Sequence, residues 1–93
     1  MKKYYFTFPM DPMESQYYRS YHVEEAESYF AAREKMIEKF GTDWAFQYDD
    51  DEWVVSRENY DKIRYFLVVC GYAGIPEYHD GMTQADMFRL KEI

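Results

Sequence analysis

Tyr4, Phe6 and Phe8 alternate with Tyr5 and Thr7, and this period of two predicts a first strand over Tyr4–Phe8, ended by Pro9. Pro9 to Gln16 reads as a connecting loop, too long for a tight hairpin. Tyr17 to Val23 reads as a second strand, with Tyr17, Arg19, Tyr21 and Val23 on one face and Tyr18, Ser20 and His22 on the other. Two consecutive strands joined by one loop pair antiparallel. Trp44 to Tyr48 alternates again, with Trp44, Phe46 and Tyr48 on one side, and predicts a third strand. The run Asp49-Asp50-Asp51-Glu52 breaks it, through charge repulsion and poor β propensity.

Between the second and third strands the period changes to 3.6. Ser28 offers an N-cap, Tyr29, Ala32, Met36 and Phe40 form an apolar stripe with Arg33 and Ile37 alongside, and Gly41 supplies a left-handed stop. This helix is expected to lie across the sheet with its stripe inward. Further on, Ser56 reads as a second helix start, and Tyr60, Ile63, Leu67 and Cys70 share a stripe with Phe66 beside it, before Gly71. The run Tyr65–Cys70 also has β-favouring composition; length and the two end signals favour helix over Ser56–Cys70. Gly71 to Gly81 is loop, Thr83 to Phe88 a short capped turn, and Leu90 to Ile93 a last edge strand. The expected architecture is α+β: a small antiparallel sheet of three to four strands, a ββαβ core packed by one long helix, with the second helix appended. No repeat or linker divides the chain, so residues 1–93 read as one domain with one core.

Aromatic content alters this picture. Phe, Tyr and Trp make up 22% of the chain, and 11 of these residues are Tyr, which tolerates a half-exposed site with its hydroxyl in water. Aromatics fall on both faces of the predicted strands. The long helix covers one face and leaves Tyr5, Tyr18 and Tyr21, or Tyr17, as a strip on the other. Such rings form a binding surface if left bare, or core if the second helix covers them.

Charge narrows the possible partners. Eleven basic residues against 18 acidic ones give a net −7, and the basic residues are scattered among acids. A nucleic-acid backbone is repelled by such a field, whereas a protein with a basic surface is attracted. Asp49, Asp50, Asp51 and Glu52, with Glu58 and Asp61 nearby, are either a solvated turn or a patch facing an arginine-rich partner. They lack the spacing and glycine of a calcium loop. Gly71-Tyr72-Ala73-Gly74 lacks the lysine and length of a phosphate-binding loop. His22 and His79 are the only histidines, in no metal-binding spacing; a set of His79, Asp80, Glu77 and Cys70 is the weak alternative to no metal at all. Cys70 is alone, so no internal disulfide forms, and it reads as a buried small hydrophobe. No apolar run reaches the roughly 20 residues of a membrane span, and Met1–Tyr5 runs into an alternating strand rather than a signal-peptide core. A cytoplasmic, non-enzymatic protein without cofactor is expected, as monomer or homodimer.

Four pieces of the sequence carry a resemblance: Tyr4-Tyr5-Phe6-Thr7-Phe8, Ala31-Ala32-Arg33-Glu34-Lys35-Met36, Phe40-Gly41-Thr42-Asp43-Trp44-Ala45-Phe46-Gln47-Tyr48 and Leu90-Lys91-Glu92-Ile93. Together they resemble a family of small proteins encoded by bacteriophages and mobile elements of Firmicutes-type bacteria, over roughly half the chain. Relatives with this pattern pass quickly from the tryptophan-bearing strand to Leu-Lys-Glu-Ile, so the segment around Trp53–Gly81 looks like an elaboration of a minimal β-β-α-β unit. The resemblance brings no catalytic residues. It implies a setting in a bacterial host, as an accessory protein that binds and inhibits a host protein, such as a CRISPR effector or another defence nuclease with a basic groove. The alternatives are a nucleotide-signal sponge, with rings stacked on a base, and a small virion or packaging component.

Overall fold

A computed structural model describes residues 1–93. In chain order the elements are β1 (Lys2–Thr7), β2 (Ser20–Ala26), α1 (Tyr29–Phe40), β3 (Phe46–Tyr48), α2 (Asp50–Trp53), α3 (Arg57–Val69), α4 (Gln84–Phe88) and β4 (Lys91–Glu92). The four strands form one sheet in the order β3-β1-β2-β4. β1 pairs antiparallel with both β2 and β3, as expected, while β4 joins β2 in parallel, so the sheet is mixed. The α+β architecture, the ββαβ core and the second helix all stand. β3 and β4 occupy opposite edges, so the intervening chain has to cross one face of the sheet.

Pairing of Tyr4 with Glu24 and Phe6 with His22 places Tyr4, Phe6, His22, Glu24 and Ala26 on one face. α1 packs there. Phe6, Phe8, Ala32 and Met36 are fully enclosed, with Phe40, Tyr17 and Trp44 closing the edges. The rings meet edge-on: Phe6 on Trp44 at 5.2 Å between centroids and Phe8 on Phe40 at 5.3 Å. α1 begins and ends where its sequence directs. The Ser28 hydroxyl accepts from the Ala31 N–H at 3.1 Å, and Gly41, at φ 63°, donates its N–H to the Ile37 carbonyl at 2.9 Å. Lys39 on α1 reaches over the buried Glu24 carboxylate at 2.9 Å, and His22 Nε2 meets the same carboxylate at 2.8 Å. The other His22 nitrogen faces the Ile93 carbonyl at 2.8 Å, so a ring carrying both protons satisfies both acceptors and ties the last residue to the sheet.

A second apolar cluster lies outside the sheet. Val55, Tyr60, Leu67, Met82 and Met87 pack together with Ile63, Ile75, Tyr78 and Phe88 around them. The return of the chain is pinned to its departure: the Val55 N–H donates to the Met82 carbonyl at 2.7 Å, and Val54 bridges Thr83. Instead of one core the domain therefore has two, side by side. Its radius of gyration of 13.8 Å exceeds the about 12 Å expected of a compact chain this long, and its thinnest dimension is 17 Å.

Local geometry corrects several sequence expectations. Arg19 has φ 59°, which reverses the chain just before β2, so Tyr17 packs on Phe8 and Phe40 while Tyr21 lies on the opposite face. The strand starts at Ser20 rather than Tyr17. Trp44 precedes β3 and turns toward Phe6, away from the side of Phe46 and Tyr48, because alternation only begins once Ala45 bonds to the Thr7 carbonyl. Asp49–Glu52 is neither turn nor coil. Asp49 caps the one-turn helix α2 by accepting from the Glu52 N–H, while Glu52 accepts from the Asp49 N–H, and carboxylates suit a helix start. Cys70 is exposed rather than buried, since α3 turns Tyr60 and Leu67 inward and leaves its C-terminal end in solvent.

Candidate functional site

The face opposite α1 carries the aromatic strip in a tighter form than expected. The register aligns Tyr5 with Tyr48 on one side and with Val23 on the other, and Thr7 with Tyr21. α2 follows β3 directly and lays Trp53 across these rings. Tyr5 stacks on Trp53 at 4.6 Å with planes 3° apart, while Tyr21 and Tyr48 meet it at 5.1 and 5.5 Å. Trp53 is buried and the three tyrosines are half-buried, so the strip is filled by the connection that crosses this face. Neither alternative from the sequence holds by itself: the rings are covered by a single tryptophan, and their hydroxyls stay at the rim.

Two of those hydroxyls are held by carboxylates. Tyr5 donates to Asp50 Oδ1 at 2.8 Å and Tyr21 to Glu92 Oε1 at 3.3 Å. Burial first, then the hydrogen bond and charge of Asp50, push the Tyr5 phenol up to about 12. Tyr21 is raised by burial and by Glu92, with Asp86 adding to it. Tyr48 is raised by burial and by the charge of Glu52, against the hydrogen bond from Thr7. All three remain neutral through the physiological range, and Tyr5 and Tyr21 donate. Around them Asp49, Asp50, Asp51, Glu52 and Glu92 have no lysine, arginine or histidine nitrogen within 4.0 Å. The result is an acidic ridge on an aromatic base, with Asp49 and Glu52 oriented by capping bonds, Asp50 and Glu92 by tyrosine hydroxyls, and Asp51 exposed beside them.

Of the residues singled out from sequence, Tyr5, Tyr21 and Asp49–Glu52 converge here. Tyr18 does not: it is exposed in the turn before β2 and makes no part of this cluster. Tyr48, Trp53 and Glu92 complete the site and escaped the sequence reading. The alternation of β3 pointed to Tyr48, but nothing local marks Trp53 or Glu92, which arrive through the crossing connection and the parallel edge strand. Glu58 and Asp61, expected to extend the acidic patch, instead pair with Lys62 and Arg57 along α3.

Other chemistry is not assembled. No group of three or more His, Cys, Asp or Glu side chains is placed to hold a metal ion; His79 lies by the Asp80 carbonyl and 3.8 Å from Asp86, apart from Cys70. Two mostly apolar hollows have volumes of about 190 and 170 Å³, one between α3 and α4 beside Arg19 and Arg89, the other by Phe8, Phe46 and Phe88. Both fall below the roughly 300 Å³ at which small-molecule sites begin. A polar depression of about 560 Å³ by Ser15, Lys39 and Asp43 is wide open to solvent. No helix is long and apolar enough to cross a membrane. Comparison with protein-family models, curated proteins and solved structures found no match.

Proposed function

We propose that this protein acts by binding rather than by catalysis, docking its acidic ridge onto a basic surface of a host protein. The observation that carries the reading is the set of five carboxylates, Asp49 to Glu52 and Glu92, grouped beside neutral Tyr5 and Tyr21, four of them held by hydrogen bonds, and lacking any cationic partner in the chain. An arginine supplies what is missing. Its guanidinium bonds a carboxylate in a planar fork and stacks on an aromatic ring at once. A surface of this sign steers encounter and selects partners more than it sets affinity. The setting that the sequence resemblance implies, an accessory protein of a phage or mobile element, gives the partner class: a host protein with a basic groove, such as a defence nuclease, inhibited by occupation of that groove.

Affinity capture from bacterial lysate at low salt tests this, with wild type beside an Asp50→Asn, Asp51→Asn, Glu92→Gln variant that leaves the capping pair Asp49–Glu52 intact. A basic protein retained by wild type, released by salt and lost with the variant is the expected outcome. Equal retention by both would sink the ridge as the contact.

A further inference from the structure

Apart from glycines, two residues of the chain have a left-handed backbone, Arg19 at φ 59° and Arg89 at φ 54°. Both are arginines, and both line the same hollow between α3 and α4. Glycine or asparagine would make either turn at lower conformational cost. At Arg89, which ends α4, glycine is the usual choice. Arginine at both places adds a cationic head group to a strained backbone, and strained residues gather where ligands are held.

The hollow has a volume of about 190 Å³. Buried Leu67 and Met87 form its floor with half-buried Ile75, and exposed Arg19, Arg89 and Tyr72 form its rim. No acidic residue lines it. In a chain with 18 acidic residues, neither of these guanidiniums has a carboxylate within 4.0 Å. Arg89 donates one N–H to the Gly74 carbonyl, which fixes its guanidinium at the rim and leaves its other donors free.

We infer that this hollow binds a small organic monocarboxylate with an aromatic or branched aliphatic body. The space is too small for a drug-sized ligand, but an apolar cavity of about 150 Å³ already takes a benzene ring. Such a body fills the hollow against Leu67 and Met87 and displaces water from its apolar wall. The carboxylate stays at the rim, where the planar fork of an arginine matches it. The field of a chain at −7 favours a singly charged head over a phosphate. This hollow shares no side chain with the acidic ridge, so either kind of binding can be lost without the other.

Titration of the full chain with phenylacetate, followed by amide NMR shifts, tests the inference. Saturable shifts at Gly74, Ile75 and Met87 are expected, with a Kd of about 1 mM or tighter, within reach of a ligand of about ten non-hydrogen atoms. Phenylacetamide, which lacks the charge, and acetate, which lacks the body, should each bind about 10-fold more weakly or worse. Asparagine suits a left-handed backbone, so an Arg19→Asn, Arg89→Asn variant should stay folded and lose about 10-fold or more in affinity for phenylacetate. The ligand series needs no substitution and reads the same hollow should that variant fold poorly. Phenylacetate that gives no saturable shift up to about 20 mM, or shifts only residues away from the hollow, overturns the inference. So does equal binding of the amide, or unchanged affinity in the folded variant.

Discussion

The sheet unit, residues 1–48, and the helical unit, residues 54–89, stabilise themselves by opposite means. In the first, strands from distant parts of the chain pair in register and α1 seals one face over Tyr4, Phe6 and Phe8, while Phe30, Ile37 and Phe46 stay exposed. In the second, the Ser56 and Thr83 caps and the Val54–Thr83 bridge close a small cluster of Val55, Met82, Met87, Tyr60 and Leu67, while Val54, Tyr65, Phe66, Val68, Val69 and Tyr72 remain exposed. A chain of 93 residues buries a limited share of its surface. A second core built beside the first, rather than on top of it, leaves α3 one free side. The difference teaches that long-range pairing holds the sheet unit while local contacts hold the helical one, and that Trp53, packed on Tyr5, Tyr21 and Tyr48, anchors the start of the connection to the sheet.

Removing that anchor is the severest test of the division. Trp53→Ala deletes a buried ring that touches Tyr5, Tyr21 and Tyr48, and is expected to cost about 3–5 kcal/mol in denaturant unfolding. Amide exchange should accelerate in both units. Phe6→Ala, at the centre of the sheet core, costs a similar amount, about 3–5 kcal/mol, and unfolds the whole chain. Met82→Ala is expected to cost about 2–4 kcal/mol, with faster exchange confined to α3 and α4 while β1 and β2 amides stay protected. Exchange that spreads evenly in the Met82 variant would merge the two units into one.

Acidification separates the units by chemistry. Burial by itself raises the Glu24 carboxyl, but the hydrogen bonds and charges of Lys39 and His22 outweigh it and hold the group below its ordinary 4.5. A depressed folded value means that the stabilisation is complete above the unfolded value and lost as pH falls through the folded one. Between about pH 6 and pH 3 the unfolding midpoint of wild type should therefore drop more than that of Glu24→Gln. Parallel curves for the two would remove this carboxylate from the acid response. The smallest effects are at the caps. Ser28→Ala and Thr83→Ala each lose one side-chain acceptor and should cost about 1 kcal/mol, the former speeding amide exchange in the first turn of α1 and the latter in α4.

These contrasts also explain what the sequence made legible. Ser28, Gly41, Ser56 and Thr83 mark helix ends through bonds to residues three or four positions away, and α1, α3 and α4 follow where those signals stand. Strand faces depend on longer geometry. The left-handed Arg19 inverted the expected faces of Tyr17 and Tyr21, and the late start of β3 turned Trp44 away from Tyr48. In α3 the expected stripe of Tyr60, Ile63 and Leu67 faces the second core, while Cys70 at its end and Phe66 beside it stay exposed. The acidic half of the site was visible as Asp49–Glu52 and Tyr5 and Tyr21 were visible as strand positions. Trp53 and Glu92 were not, because their places depend on a connection that leaves one sheet edge and returns at the other.

The most direct measurement of the central claim is the salt dependence of partner capture by wild type and by the Asp50→Asn, Asp51→Asn, Glu92→Gln variant, with Tyr18→Ala as the control outside the ridge. The account predicts that wild type and Tyr18→Ala retain the same basic protein at low salt, release it as salt screens the ridge beyond about 10 Å at 0.1 M, and that the ridge variant retains none. Retention that is insensitive to salt and unchanged in the ridge variant would contradict it.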